Sequence, residues 1–176
     1  MPHADDGGAG DAGPLGRAVA RVRTWVGGSA GGGTGGAGGQ PRVALFVDGP
    51  NVLRAEFDVD LDDVRAAAAA RGRLAVARLY LDEHATPGLV QAAEARGFEV
   101  RTTSGDVDVA LAVAAAAVVA DGDCDVLAVA SRDTDFKPVL ELAARRGVET
   151  LAIAPGTHGR SDALRNAAHR AVTLDS

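Results

Sequence analysis

The chain holds one cysteine, Cys124, among 176 residues. That excludes an intramolecular disulfide and a zinc site built on several thiolates. Aromatic residues make up only 3% of the sequence, so the core has to be built from Val, Leu and Ala. The same scarcity argues against recognition of nucleic acid by extensive base stacking. No apolar run approaches the roughly 20 residues needed to cross a bilayer. Residues Met1 to Gly13 are acidic and Gly-rich, without the hydrophobic stretch of a signal peptide. Positive charge is also short: 18 Lys and Arg face 24 Asp and Glu, for a net charge of −6. Bulk charge therefore does not hold this protein to nucleic acid or to an anionic membrane. The expectation is a cytoplasmic protein. What is present, 47% apolar and 24% charged residues, is globular composition at a length suited to one domain and a tail.

Residues 1–40 and 41–176 differ in kind. Gly27 to Gly39 reads GGSAGGGTGGAGG, the composition of a flexible linker. It contains a G-x-G-x-x-G match from Gly33 to Gly38. The match follows no strand and precedes one, so it is no dinucleotide site. Before it, Leu15, Val19, Val22 and Val26 fall at helical spacing with Arg17, Arg21 and Arg23 among them. This is a short basic amphipathic segment, and an isolated helix of that length is marginal. Residues 1–40 are thus expected to form a disordered tail carrying this segment and the linker. Three Asp and three Arg cancel within it, which leaves the acidic surplus in residues 41–176.

From Arg42 onward, apolar runs alternate with helical patterns. Strands are expected at 42–47, 74–81, 98–103, 125–130, 148–153 and 170–174, with helices near 60–71, 87–96, 108–120, 134–146 and 161–169. Asp60 with Asp63 has the form of a helix N-cap with an acidic third position. Gly72, Gly97 and Gly147 stand where helix-terminating glycines belong. Strict alternation implies an α/β fold: a three-layer sandwich with a central parallel sheet. The strands are nearly continuous in apolar residues, as sheets covered on both faces require. Helix 108–120 is apolar all round, which places it in the interior or at an oligomer interface.

Ligands of such sheets bind beyond the carboxyl ends of the strands. The first expected strand runs into Asp48, Gly49, Pro50 and Asn51, and the third into Ser104, Gly105, Asp106, Val107 and Asp108. The fourth runs into Ser131, Arg132, Asp133, Thr134 and Asp135, and the second into Asp82 and Glu83. Carboxylates crowded on one rim repel one another. A hard divalent cation, Mg²⁺ or Mn²⁺, relieves the conflict and serves phosphodiester hydrolysis. Singly, each aspartate has another role: Asp48, Asp106 or Asp108, and Asp133 or Asp135 can cap the helices that follow. Jointly, capping does not explain why they share a rim, nor the presence of Asn51.

ALFVDGPNVLR (Ala44 to Arg54), SGDVDVALAV (Ser104 to Val113) and SRDTDFKPVLELAARRGVETLAIA (Ser131 to Ala154) resemble the NYN domains of the PIN-like nuclease superfamily, which include the LabA-like proteins. The DGPNVLR and TSGDVDV variants look most like a group of uncharacterised archaeal NYN proteins. The resemblance spans residues 41–176 and implies a PIN-like α/β sandwich with metal-dependent ribonuclease activity on RNA, single-stranded in this reading. It implies metal-ligating and catalytic roles for Asp48, Asp108, Asp133 and Asp135. Many relatives carry a lysine shortly before the central aspartate. Here that stretch is Thr103, Ser104, Gly105 and Asp106, and Asp106 adds a carboxylate to the metal set. Asn51 and Ser131 would hydrogen-bond a ligand carboxylate or the scissile phosphate, and Arg132 and Arg54 would meet phosphates. Association as a homodimer is in keeping with PIN-like domains.

Further positive groups expected near the rim are Lys137, Arg160 and Arg165, each of which reads equally as solvated surface. PGTHGRS (Pro155 to Ser161) has the composition of a phosphate-cradling loop or of an ordinary one, and His158 within it stands alone. Phe136 reads as core. Two rival readings remain: a catalytically inactive NYN domain that binds RNA or protein, and another acidic-pocket α/β protein. Against the second, Asp48-Gly-Pro-Asn lacks the D-x-D nucleophile of haloacid-type phosphatases. The lone lysine, Lys137, is misplaced for a phospho-acceptor receiver domain.

Overall fold

The computed structural model describes residues 22–25, 39–54, 57–156 and 162–174. The chain order is β1 (Val22–Trp25), β2 (Arg42–Asp48), α1 (Gly49–Val52), α2 (Leu61–Ala69), β3 (Arg73–Asp82), α3 (Pro87–Ala95), β4 (Glu99–Thr103), α4 (Val107–Ala120), β5 (Val126–Ala130), a 3₁₀ turn (Thr134–Phe136), α5 (Lys137–Arg145), β6 (Glu149–Pro155), α6 (Asp162–Ala167) and β7 (Arg170–Leu174). All six expected strands form. The expected helix 134–146 begins as the 3₁₀ turn and becomes α5 at Lys137. There Pro138 sits in the first turn, where its missing N–H costs nothing.

The helix ends follow local chemistry. Asp60 caps α2 by accepting from Asp62 N–H at 3.0 Å. Gly97 and Gly147 take φ of +82° and +76°, which a side chain would strain. The residue after each turns its N–H back into the helix: Phe98 to Ala93 O at 3.1 Å and Val148 to Ala143 O at 3.0 Å.

The sheet runs β1-β7-β6-β5-β2-β3-β4. Every pair from β7 to β4 is parallel. One hydrophobic layer joins the sheet to α2 and α3 through Val64, Ala68, Ala93, Leu79 and Ile153. The other joins it to α4, α5 and α6 through Leu111, Ala115, Leu140, Leu164, Phe46 and Leu127. This is the expected three-layer sandwich. Chain order reverses direction between the central strands β2 and β5, so the helices leaving them diverge to opposite faces. In open α/β sheets such a switch point is where a crevice forms at the strands' carboxyl ends.

One expectation changes. Val22–Trp25 is a strand antiparallel to β7, in register from Val22 with Leu174 to Trp25 with Ala171, and not the end of an amphipathic helix. The run Val-Arg-Thr-Trp suits a strand, and β7 would otherwise leave an unpaired edge. The rest of the basic segment and the Gly-rich linker lie outside the described residues. Helix α4 buries Leu111, Ala115, Val118 and Val119 against the sheet, while Val109 and Val113 are 59% and 65% exposed.

Candidate metal centre

Three rim loops deliver carboxylates to the crevice between β2 and β5. Asp48 is the last residue of β2. Asp133 and Asp135 follow β5 through Ser131 and Arg132. Asp108 comes from the chain after edge strand β4, and α4 carries it inward by packing across β2 and β3.

Asp108, Asp133 and Asp135 each offer an oxygen within 4.8 Å of the other two. At 4.8 Å a pair of full charges repels by about 3.5 kcal/mol for an effective dielectric constant near 20. Burial raises the Asp108 carboxyl to about 6, and the charges of Asp48, Asp133, Asp106 and Asp135 push the same way. Three short carboxylates supply hard oxygen donors, the set that suits Mg²⁺ or Mn²⁺ with water completing the shell. The residues fit such an ion.

Asp48 and Asp106, both expected as ligands, stand outside this group. Asp48 is 1% exposed. Its Oδ2 accepts from Ser131 Oγ at 2.8 Å, and its Oδ1 accepts from Asn51 N–H at 3.2 Å. Burial raises its pKa, while the hydrogen bonds from Ser131 and Asn51 pull it back. Ser131 Oγ in turn accepts from Asp133 N–H at 3.0 Å. Asp48 thus fixes the loop that bears Asp133, and of the neighbouring aspartates its charge pushes the Asp108 carboxyl up the most. Asp106 accepts from Asp108 N–H at 3.0 Å and caps α4. Asp133 likewise caps the 3₁₀ turn through Asp135 N–H at 2.9 Å. The capping and cluster roles therefore coexist: a cap aims the carboxylate two residues on.

The other expected contacts sort as follows. Asn51 donates its backbone N–H, and Ser131 its Oγ–H, to the Asp48 carboxylate. Arg54 donates from Nε to Pro50 O at 3.1 Å. Arg132 stacks on Phe57, a residue that nothing in the sequence pattern singles out. Lys137 pairs with Glu141 at 3.7 Å, one helical turn along α5. Asp82 caps its own turn by accepting from His84 N–H at 2.9 Å. Neither it nor Glu83 joins the cluster. Phe136 is buried in the α4–α5 layer, as expected. Residues 157–161, with His158 and Arg160, lie outside the described residues. Burial raises the Cys124 thiol to about 11, which leaves it unreactive.

The family profile described as NYN domain matches residues 42–175. An uncharacterised protein of Methanocaldococcus jannaschii is 38% identical over 136 residues, which are 77% of this chain and 56% of the relative. The chain thus spans little more than half the length of that curated relative. The crystal structure of a protein of unknown function from Vibrio parahaemolyticus superposes with a TM-score of 0.68 at 21% identity, over 80% of this chain and 97% of the other. At that identity the likeness is one of fold.

Proposed function

The chain belongs to the NYN domain family, and we propose that it is a metal-dependent ribonuclease that hydrolyses phosphodiester bonds of single-stranded RNA. The convergence of Asp108, Asp133 and Asp135 within 4.8 Å at the sheet's switch point carries this reading. These three side chains would hold Mg²⁺ or Mn²⁺. A bound ion supplies Lewis acidity toward a phosphoryl oxygen and toward water. Asp48 orients Asp133 through Ser131 and adds its negative charge beside Asp108. Asn51 steadies Asp48 from the other side. Arg132 and Arg54 meet the phosphate backbone, which the acidic rim repels until a cation fills it. A single cysteine is in keeping with a reducing cytoplasm. No helix among the described residues is long and apolar enough to cross a membrane.

One observation favours the alternative, a domain that binds RNA without cutting it. Both Asp48 oxygens already accept hydrogen bonds, from Ser131 and Asn51, and Asp48 is not among the three carboxylates whose oxygens lie within 4.8 Å of one another. Incubation of the purified chain with labelled single-stranded RNA separates the two. Cleavage is expected with Mn²⁺ and is expected to stop with EDTA. Retention of intact RNA with Mn²⁺ present would select the binding domain.

A further inference from the structure

A positive group stands beside the acidic rim on an aromatic shelf. The guanidinium carbon of Arg132 lies 4.6 Å from the centroid of the Phe57 ring. At that distance the ring's quadrupole holds a cation. Phe57 is 7% exposed, too buried to offer a face to a nucleobase. Its N–H donates to Arg54 O at 3.0 Å, which closes the turn after α1. At the end of β6, Gly156 has φ of +67°, and a Cβ there would meet the ring at 3.2 Å. A side chain at 156 would press on the shelf.

The backbone around Arg132 is fixed as well. Ser131 N–H donates to Ile153 O at 3.1 Å. Asp133 N–H donates to Ser131 Oγ at 3.0 Å. The chain after β2, Gly156 after β6 and Arg132 after β5 therefore meet at the Phe57 ring, and Arg132 is next in sequence to a cluster carboxylate. The cluster suits a cation and repels an anion, so an RNA backbone needs a positive group held close by. A planar guanidinium oriented by stacking loses less freedom when it takes phosphate oxygens than a mobile one does.

We infer that Phe57 is a positioning residue that holds Arg132 where its guanidinium takes a phosphate of the RNA backbone. The inference rests on the RNA-cleaving reading of the site, but its test is retention of RNA and not cleavage. The test uses the otherwise unaltered full chain in Ca²⁺, a hard cation that fills a carboxylate site but is a weaker Lewis acid than Mg²⁺ or Mn²⁺, so that RNA stays intact. Fluorescence anisotropy with labelled single-stranded RNA in Ca²⁺ reads the affinity.

Phe57→Leu is expected to weaken binding by about threefold to tenfold, and Phe57→Tyr to restore it. Arg132→Gln is expected to weaken binding at least as much and to reduce the salt slope by about 0.7, one phosphate contact on a single strand. The double variant is expected to bind no more weakly than Arg132→Gln alone, because Phe57 acts only through Arg132. In the otherwise unaltered chain, Phe57→Leu is expected to keep its Mn²⁺ affinity. Undiminished binding by Phe57→Leu, additive losses in the double variant, or a loss of Mn²⁺ affinity each overturn the inference alone. Failure of the parent chain to hold RNA removes the inference together with the reading beneath it.

Discussion

Asp108→Asn is expected to reduce Mn²⁺-dependent RNA cleavage by at least about 10³-fold, a loss of roughly 4 kcal/mol of transition-state stabilisation. It is also expected to make the metal-free protein more stable at neutral pH. Both effects have one cause. In the folded chain, burial and four neighbouring aspartates hold the Asp108 carboxyl at about 6, against 3.8 for an ordinary aspartate. An acid with a raised folded-state pKa binds its proton more tightly folded than unfolded. Its stabilising contribution is complete below about pH 4 and lost as pH rises to about 6. Asp108 is partly solvent-exposed, so screening reduces the amount to about 1 kcal/mol, or about 3 °C in thermal midpoint.

Melts in EDTA from about pH 4 to about pH 7 should therefore show the wild type losing stability relative to Asp108→Asn across that window. Mn²⁺ at neutral pH should stabilise the wild type and leave the variant nearly unchanged. An Asp108→Asn protein that cuts RNA at the wild-type rate would remove Asp108 from the site.

Phe136→Ala is expected to cost about 3–5 kcal/mol in urea unfolding, the range for deleting a buried aromatic ring. Phe136 is fully buried beside Leu140, Leu111 and Leu127. It is the third residue of the 3₁₀ turn that begins after Asp133 and includes Asp135. Its ring pins two cluster carboxylates to the core, so the site should loosen with the fold. Mn²⁺ affinity in the folded variant is expected to fall as well. Phe136→Leu keeps most of the apolar volume and should cost only about 1 kcal/mol. A loss below about 1 kcal/mol for the alanine variant would show that the turn is anchored elsewhere.

The sequence pattern made the sheet legible because parallel strands buried on both faces are short apolar runs. In such sheets the residues following each run lie on one rim. That was enough to bring Asp108, Asp133 and Asp135 together. Their depth was not legible. Asp48 ends a strand at the centre of the sheet, and Ser131 at the end of the neighbouring strand donates to it, so it braces the loop that bears Asp133. Asp106 is turned to its own helix by the capping geometry.

β1 was missed because four residues are too few to show an alternation, and their strand state depends on the β7 edge. The stacking of Arg132 on Phe57 joins two loops far apart in sequence, and no local spacing signals it. The open face of α4 was hidden for a different reason. Alanine and valine on every side look the same in sequence whether a neighbour covers them or not, and Val109 and Val113 are left in solvent.

The central claim is that the cluster holds a divalent cation, and an X-ray measurement at the manganese edge on crystals of the chain soaked in Mn²⁺ tests it most directly. The expected result is an anomalous peak bonded to carboxylate oxygens of Asp108, Asp133 and Asp135, absent from crystals of Asp108→Asn. Wild-type crystals with no peak at these three carboxylates, at a Mn²⁺ concentration that supports RNA cleavage, would contradict it.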